Sequence, residues 1–92
     1  MARTKTVTYF VGEAQLVLAQ GAFAITFYRP TINPDSGAAS NPVKVDGVPI
    51  AAGGTFEVKQ NVGDTDFTQY DVVFGAGAGE NMLYVIQILP ND

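Results

Sequence analysis

Apolar and polar residues alternate along most of the chain, and no stretch shows the three-to-four-residue spacing of an amphipathic helix. In residues 6–11, for example, Val7 and Tyr9 occupy one face, and threonines alternate with them on the other. Because successive side chains of a strand point to opposite faces, this pattern predicts strands with one buried face. The segments predicted to be extended are residues 6–11, 14–19, 22–29, 43–50, 55–60, 70–74 and 82–89.

Turn-forming residues separate these segments and divide one of them. Asp46 and Gly47 lie between two short apolar arms, which predicts a tight β-hairpin. Pro49 assigns the returning arm to the edge of a sheet, because proline cannot donate to a neighbouring strand. Residues 14–19 are less specific, since their alanine and leucine content also suits one helical turn. The longest loop, residues 31–42, could be a contact arm or a simple connection, and both alternatives stay open.

These elements predict an all-β fold: a small antiparallel β-sandwich or barrel of about six to seven short strands. Residues 1–92 are expected to form a single β-domain, because a chain of this length supports only one core. The chain contains neither cysteine nor histidine, so neither disulfides nor a zinc site built from those residues can reinforce that core. Oligomerisation is the remaining common reinforcement for so small a domain.

The last predicted strand, residues 82–89, differs from the others because both of its faces are apolar. One face carries leucines and a valine, interrupted only by Gln87. A strand of this kind is covered on both sides. The cover on the second side is either another part of the same domain or a second subunit. The second alternative gives a candidate interface formed by Met82, Tyr84, Ile86 and Ile88.

The composition is consistent with a surface that is partly covered by a partner. Hydrophobic residues make up 47% of the chain and charged residues 15%, against roughly 25% charged in ordinary globular chains. The alternative is that uncharged polar residues and glycine solvate the surface. A net charge of −4, from 5 basic and 9 acidic residues, argues against nucleic acid as a ligand, because phosphate binding needs a basic surface.

No membrane segment and no export signal are expected from the sequence. The apolar stretch of residues 14–28 is too short and too interrupted by Gln15, Gln20 and Gly21 to span a bilayer. The first residues are polar and strand-like, unlike a signal peptide. We therefore expect the protein to be made and kept without a secretion signal.

Candidate chemistry is confined to carboxylates, since the histidine or cysteine of common nucleophilic sites is missing. Asp64 and Asp66, with Asn61 and Asp71 nearby, could supply oxygen ligands to calcium, but they lack the spacing of a calcium-binding loop. Turn capping by these aspartates is the alternative. Nothing places Glu57 and Asp71 together in a glycosidase cleft. We expect no enzymatic activity, no catalytic residue, no cofactor and no metal.

A family resemblance begins at residue 41. The chain there reads NPVKVDGVPI and then AAGGTF, and an acidic loop through Asp64 and Asp66 leads to YDVVF at residues 70–74. This order resembles the small β-sandwich structural proteins of tailed bacteriophage virions, in which a short hairpin is followed by a glycine turn and a pair of strands with aromatic residues.

The resemblance implies a capsid decoration or cement protein, or a head or tail accessory protein. Such a protein self-assembles, often as a trimer or another ring, and binds other virion proteins; its location is the virion, after synthesis in the host cytoplasm. No family catalytic residue is carried over. The alternative function is a carbohydrate- or receptor-binding β-module. It would use exposed aromatic residues such as Tyr28 and Phe67, together with the loops at residues 31–42 and 61–69.

Overall fold

The computed structural model describes residues 3–90, which form eight strands and no helix. The predicted all-β fold is confirmed. The number of strands exceeds six to seven because each arm of the hairpin is a separate strand and the ambiguous residues 14–19 are extended. The strands are β1 (Thr4–Val11), β2 (Gln15–Leu18), β3 (Ala24–Tyr28), β4 (Val43–Val45), β5 (Val48–Ile50), β6 (Thr55–Lys59), β7 (Gln69–Phe74) and β8 (Leu83–Pro90).

The strands form two four-stranded sheets. Sheet A has the order β1-β8-β3-β6, and sheet B has the order β2-β7-β4-β5. Every neighbouring pair of strands in both sheets is antiparallel. The last strand therefore lies inside sheet A, between the first strand and the third. The two sheets pack face to face as a small β-sandwich.

The core lies between the sheets and centres on Phe27. This side chain is fully buried in sheet A, and its ring centroid lies 5.4 Å from that of Tyr70 in sheet B. Phe56 lies 6.0 Å away on the neighbouring strand β6. Both contacts are edge-to-face, the arrangement that aromatic quadrupoles favour. Burial of one such side chain contributes about 1.5–3 kcal/mol to folding, so these rings hold the two layers together.

The tight hairpin between β4 and β5 forms as predicted. Asp46 and Gly47 both have positive φ, 51° and 80°, which is the type I′ geometry that matches the twist of the flanking strands. Asp46 also accepts a hydrogen bond from the backbone N–H of Asp71, at 2.7 Å. Pro49 lies in β5, at the edge of sheet B, as its missing N–H requires.

The long loop at residues 31–42 is folded against the segment that precedes β8. The carboxylate of Glu80 accepts hydrogen bonds from Asn33 Nδ2 at 2.7 Å and Ser36 Oγ at 2.9 Å, and these bonds lower the pKa of Glu80. An ideal Cβ on Gly79 would lie 1.9 Å from the carbonyl oxygen of Ala39. The loop and the glycine-rich segment therefore pack too closely for a side chain at that position.

Arg29 holds the end of the same loop. Its Nε donates to Ser40 Oγ at 2.9 Å, and its Nη2 donates to the Ser40 carbonyl at 3.0 Å. Its Nη1 donates to the carbonyl of Ile50, at the end of β5, at 2.9 Å. The rigid guanidinium group is suited to such a fork of bonds. Arg29 thus links sheet A, the loop and sheet B.

Candidate interaction surface

Strand β8 has one face in the core and the other on the outer face of sheet A. Leu83 and Val85 are fully buried against sheet B. Gln87 is also buried, and its Nε2 donates to the carbonyl of Leu18 in β2 at 2.9 Å. That bond satisfies the one polar group on the inner face of β8 and ties the central strand of sheet A to sheet B.

Three of the four residues predicted as an interface lie on the outer face. Tyr84, Ile86 and Ile88 alternate with the buried residues of β8 and point away from sheet B. Ile88 is 38% exposed, and Tyr84 and Ile86 are partly exposed. Met82 precedes β8 and is only 3% exposed, so it lies inside the protein and does not belong to this face.

Strand pairing extends the exposed face into an aromatic row, formed by Phe10, Tyr84 and Tyr28. These residues are opposite one another on β1, β8 and β3. The Phe10 and Tyr84 ring centroids are 5.7 Å apart at an interplanar angle of 66°, and those of Tyr28 and Tyr84 are 6.3 Å apart at 25°. Phe10 is 54% exposed. The row crosses three strands of sheet A.

Threonines surround the apolar centre of this face. Ile86 lies between Thr8 and Thr26, and Ile88 is paired with Thr6 on β1. The only charges on this face among the described residues are Glu57 and Lys59 on the edge strand β6, which form an ion pair at 3.4 Å. We call the following residues the open face: Phe10, Tyr28, Tyr84, Ile86 and Ile88, bordered by Thr6, Thr8, Thr26 and Thr55.

The open face is suited to contact with a flat partner surface. Aromatic residues are enriched in protein interfaces and charged residues are depleted from their centres, and the open face shares both features. Contiguous exposed apolar patches on small soluble domains commonly mark interaction sites. Small-molecule sites are concave, whereas the described residues enclose no pocket.

The acidic loop holds a buried carboxylate that works inside the fold. Asp66 is 5% exposed. It accepts hydrogen bonds from the Tyr70 hydroxyl and from the Thr68 backbone N–H, the latter at 2.8 Å. Burial alone would raise the pKa of Asp66, but the bonds from Thr68 and Tyr70 outweigh it and lower that pKa. Burial, together with the bond to Asp66, raises the pKa of Tyr70 to about 12.

Turn capping is therefore confirmed for Asp66, whose side chain bonds the backbone two residues further on. Within residues 3–90, no group of three or more acidic residues is arranged to hold a metal ion. Glu57 and Asp71, the two carboxylates considered for glycoside cleavage, lie on the outer faces of opposite sheets. They cannot act on one bond from those positions. No helix in the described part of the chain is long and apolar enough to cross a membrane.

The aromatic row is a feature that the sequence pattern did not reveal. Phe10 and Tyr28 each occupy the more polar face of their own strand, and nothing local places them beside Tyr84. The signal within the sequence is weak: an exposed aromatic residue interrupts a face otherwise made of threonines and alanine. Only the order β1-β8-β3 brings the three rings together.

Comparisons with known proteins do not extend this description. Comparison of the chain with protein-family models, with curated proteins and with solved structures gives no match.

Proposed function

We propose that the protein is a non-enzymatic structural protein of a bacteriophage virion, which self-assembles and binds other virion proteins. Its class is a capsid decoration or cement protein, or a head or tail accessory protein. The observation that carries the proposal is the open face, where the central strand of a sheet presents Tyr84, Ile86 and Ile88 away from the core. The resemblance in residues 41–74 supports the virion class.

The energetics of the open face favour a covered state. Burial of apolar surface stabilises an association by roughly 25 cal/mol per Å² before the costs of association are subtracted. Tyr84 and Tyr28 already pack on each other, so little side-chain freedom is lost when a partner covers them. The protein as a whole is acidic, with a net charge of −4. Among the described residues, however, the open face is charged only at its β6 edge, where Glu57 and Lys59 form an ion pair. The open faces of two copies therefore do not repel each other strongly.

A pair of charge variants tests this role of the open face. Ile86→Glu combined with Ile88→Glu places two carboxylates on the outer side of β8. Val73→Glu is the matched control, because Val73 is 45% exposed and points outward from the central strand β7 of sheet B. We expect both proteins to fold, as judged by circular dichroism, and only the first to lose assembly in sedimentation velocity.

Two results would contradict the proposal. If the wild-type protein stays strictly monomeric at high concentration and binds no particle, it does not assemble. If the Ile86→Glu, Ile88→Glu variant unfolds while Val73→Glu folds, the open face is part of the core. The virion class has a separate test in the neighbouring genes: capsid, portal or tail genes would support it, and genes of unrelated metabolism would count against it.

A carbohydrate- or receptor-binding module is the second candidate, and the exposed aromatic residues favour it. Phe10 is 54% and Phe67 70% exposed, and sugars stack on free aromatic faces. In the aromatic row, however, Tyr28 and Tyr84 turn their faces toward each other, which leaves less free ring surface for a sugar. A glycan array would decide: specific binding that is lost in Tyr28→Ala or Phe67→Ala would favour this candidate.

A further inference from the structure

The four edge strands of the sandwich differ in how well they are protected from pairing with another chain. Natural edge strands are kept short, or carry proline or charged residues. Strand β5 has 3 residues and contains Pro49, β2 has 4 residues, and β6 has 5 residues with Glu57 and Lys59. Strand β1 has 8 residues and contains no proline, and its one charge, Lys5, lies near its beginning. Strand β1 is therefore the least protected edge.

The side chains of β1 also indicate an open edge. Val7 and Tyr9 belong to its inward-facing set, yet both remain partly exposed, whereas Val11 is buried. Residues at matching positions on the central strand β8, such as Val85, are completely buried. Among the described residues, β1 has a partner strand on one side only. A further strand on the free side would cover Val7 and Tyr9.

We propose that β1 pairs antiparallel with β1 of a second copy of this chain, about a two-fold axis at Thr8. This inference rests on the proposed self-assembly and names one surface that performs it. A two-fold axis perpendicular to the sheet keeps outward residues opposite outward residues, so the axis passes through one residue and its own copy. An axis at Thr8 pairs residues 5–11 of the two strands along their whole length.

Charge complementarity selects this register. Arg3 directly precedes β1, and Glu13 lies in the bend just after it; both are exposed. An axis at Thr8 brings Arg3 of one copy to the end of the pairing where Glu13 of the other copy leaves the sheet. An axis at Val7 would pair as many residues but would leave Arg3 opposite Val11. An axis at Tyr9 would shorten the pairing. Opposite charges across paired strands stabilise them, and like charges destabilise them.

The pairing would join the two open faces side by side. Two four-stranded sheets would become one continuous eight-stranded sheet, with both aromatic rows on the same side. Phe10, the most exposed member of the row, would come opposite Thr6 of the other copy. Strand addition of this kind supplies main-chain hydrogen bonds, and the side chains determine the register.

A cysteine cross-link tests the register directly, because the chain has no cysteine of its own. In Thr8→Cys the two thiols lie across the axis, where opposed Cα atoms are about 4.5–5.5 Å apart. A short thiol-to-thiol cross-linker should give a covalent dimer as the main product. Leu16→Cys is the control: Leu16 is also exposed, but on the edge strand β2 at the outer face of sheet B, and it should remain mostly monomeric.

A second pair of variants measures the strength of the pairing. Thr8→Lys places two ammonium groups opposite each other on the axis, and we expect self-association to weaken by about tenfold or more in Kd. Leu16→Lys, on the outer face of the edge strand β2 in sheet B, should leave it unchanged. Folded Thr8→Cys that does not cross-link, together with unchanged association of Thr8→Lys, would overturn the edge pairing. Assembly through the open face would still stand if Ile86→Glu with Ile88→Glu abolishes it. A wild-type protein that never self-associates would overturn the edge pairing and the self-assembly, but not binding to other virion proteins.

Discussion

The outer faces of the two sheets differ although their inner faces are alike. Both sheets bury valines, isoleucine and aromatic rings against each other. On its outer side, the centre of sheet A presents Tyr84 and Ile86 among threonines, whereas the centre of sheet B presents Asp71 and Val73 on β7 and Lys44 on β4. Charges on a central strand keep a face solvated. The central strands of sheet B therefore mix charged and apolar residues on their outer side, whereas those of sheet A carry no charge there.

The same comparison sets β8 apart, because both of its faces are apolar. A central strand in a two-layer sandwich needs only one apolar face, since only one face meets the other sheet. Strand β7 comes closer to this rule, with Tyr70 and Val72 inside and the charged Asp71 outside, although Val73 is also outward. Strand β8 does not, because Ile86 on its outer side has no covering layer among the described residues. The second apolar face of β8 is therefore not required by the packing of the two sheets.

The largest expected effect is a difference in the free energy of unfolding between variants on the inner and outer sides of sheet A. Phe27→Ala removes a ring that contacts Phe56 and Tyr70, and we expect a loss of about 3–5 kcal/mol in the free energy of unfolding. Tyr28→Ala, at the next residue on the outer side, should cost about 1 kcal/mol or less. Urea denaturation of both variants measures the difference. Equal losses would show that the open face contributes to the core.

High pH should destabilise the protein through the buried hydrogen-bonded pair of Tyr70 and Asp66. The pKa of Tyr70 is about 12 in the folded protein, against the ordinary tyrosine value of 10.0. Its contribution to stability is therefore complete below pH 10 and is lost as the pH rises through about 12. The pKa of Asp66 is lowered from 3.8, so its contribution is present above that value and is lost as the pH falls through the folded pKa.

Circular dichroism as a function of pH measures both ends of this stability range. In Tyr70→Phe the alkaline transition should move to a different pH, because the phenol with the strongly raised pKa is gone. The variant should also be less stable at neutral pH, since Asp66 loses one of its two partners. An unchanged alkaline transition in Tyr70→Phe would show that this phenol does not control it.

Gln87→Leu should have an intermediate effect. The change leaves the carbonyl of Leu18 without the donor that now lies 2.9 Å away, and we expect a loss of about 1–3 kcal/mol. The same variant should leave self-association unaffected, because Gln87 faces the core. Urea denaturation measures the first quantity and sedimentation velocity the second. Weaker association in a variant that is still fully folded would show that the core and the outer side of β8 are coupled.

The smallest effect on stability gives the sharpest contrast between the two outer faces. Ile86→Thr and Val73→Thr each replace an outward aliphatic side chain on a central strand by threonine, which suits a strand. Both should change the free energy of unfolding by about 0.5–1 kcal/mol at most. Only Ile86→Thr should weaken self-association. Equal weakening of self-association in both variants would show that the interface is not specific to the outer face of sheet A.

Much of the fold could be predicted from the sequence, because the signals are local. Alternation located the strands, Asp46 with Gly47 located the hairpin, and Pro49 located an edge. The weak segment at residues 14–19 formed a strand because Val17 packs in the core and the segment pairs with β7. Tertiary pairing, which local propensity does not contain, decided that case.

The candidate surface could be predicted only in part. The two-sided apolar pattern identifies Tyr84, Ile86 and Ile88, and it also predicts Met82 as part of the interface because the period of two continues through that residue. The structure begins β8 one residue later and buries Met82. The aromatic row and the fork of bonds from Arg29 depend on contacts between distant parts of the chain. Such contacts require the strand order, which no local pattern specifies.

Hydroxyl-radical footprinting of the assembled protein tests the central claim most directly, because it compares both outer faces in one unmodified sample. Oxidation should be compared at a low concentration, where the protein is dissociated, and at a high concentration, where it is assembled. We predict that Tyr84, Ile86 and Phe10 become protected on assembly, while Leu16 and Val73 on the outer face of sheet B stay as reactive as before. Protection of Leu16 and Val73 with unchanged reactivity of Tyr84 and Ile86 would contradict the account.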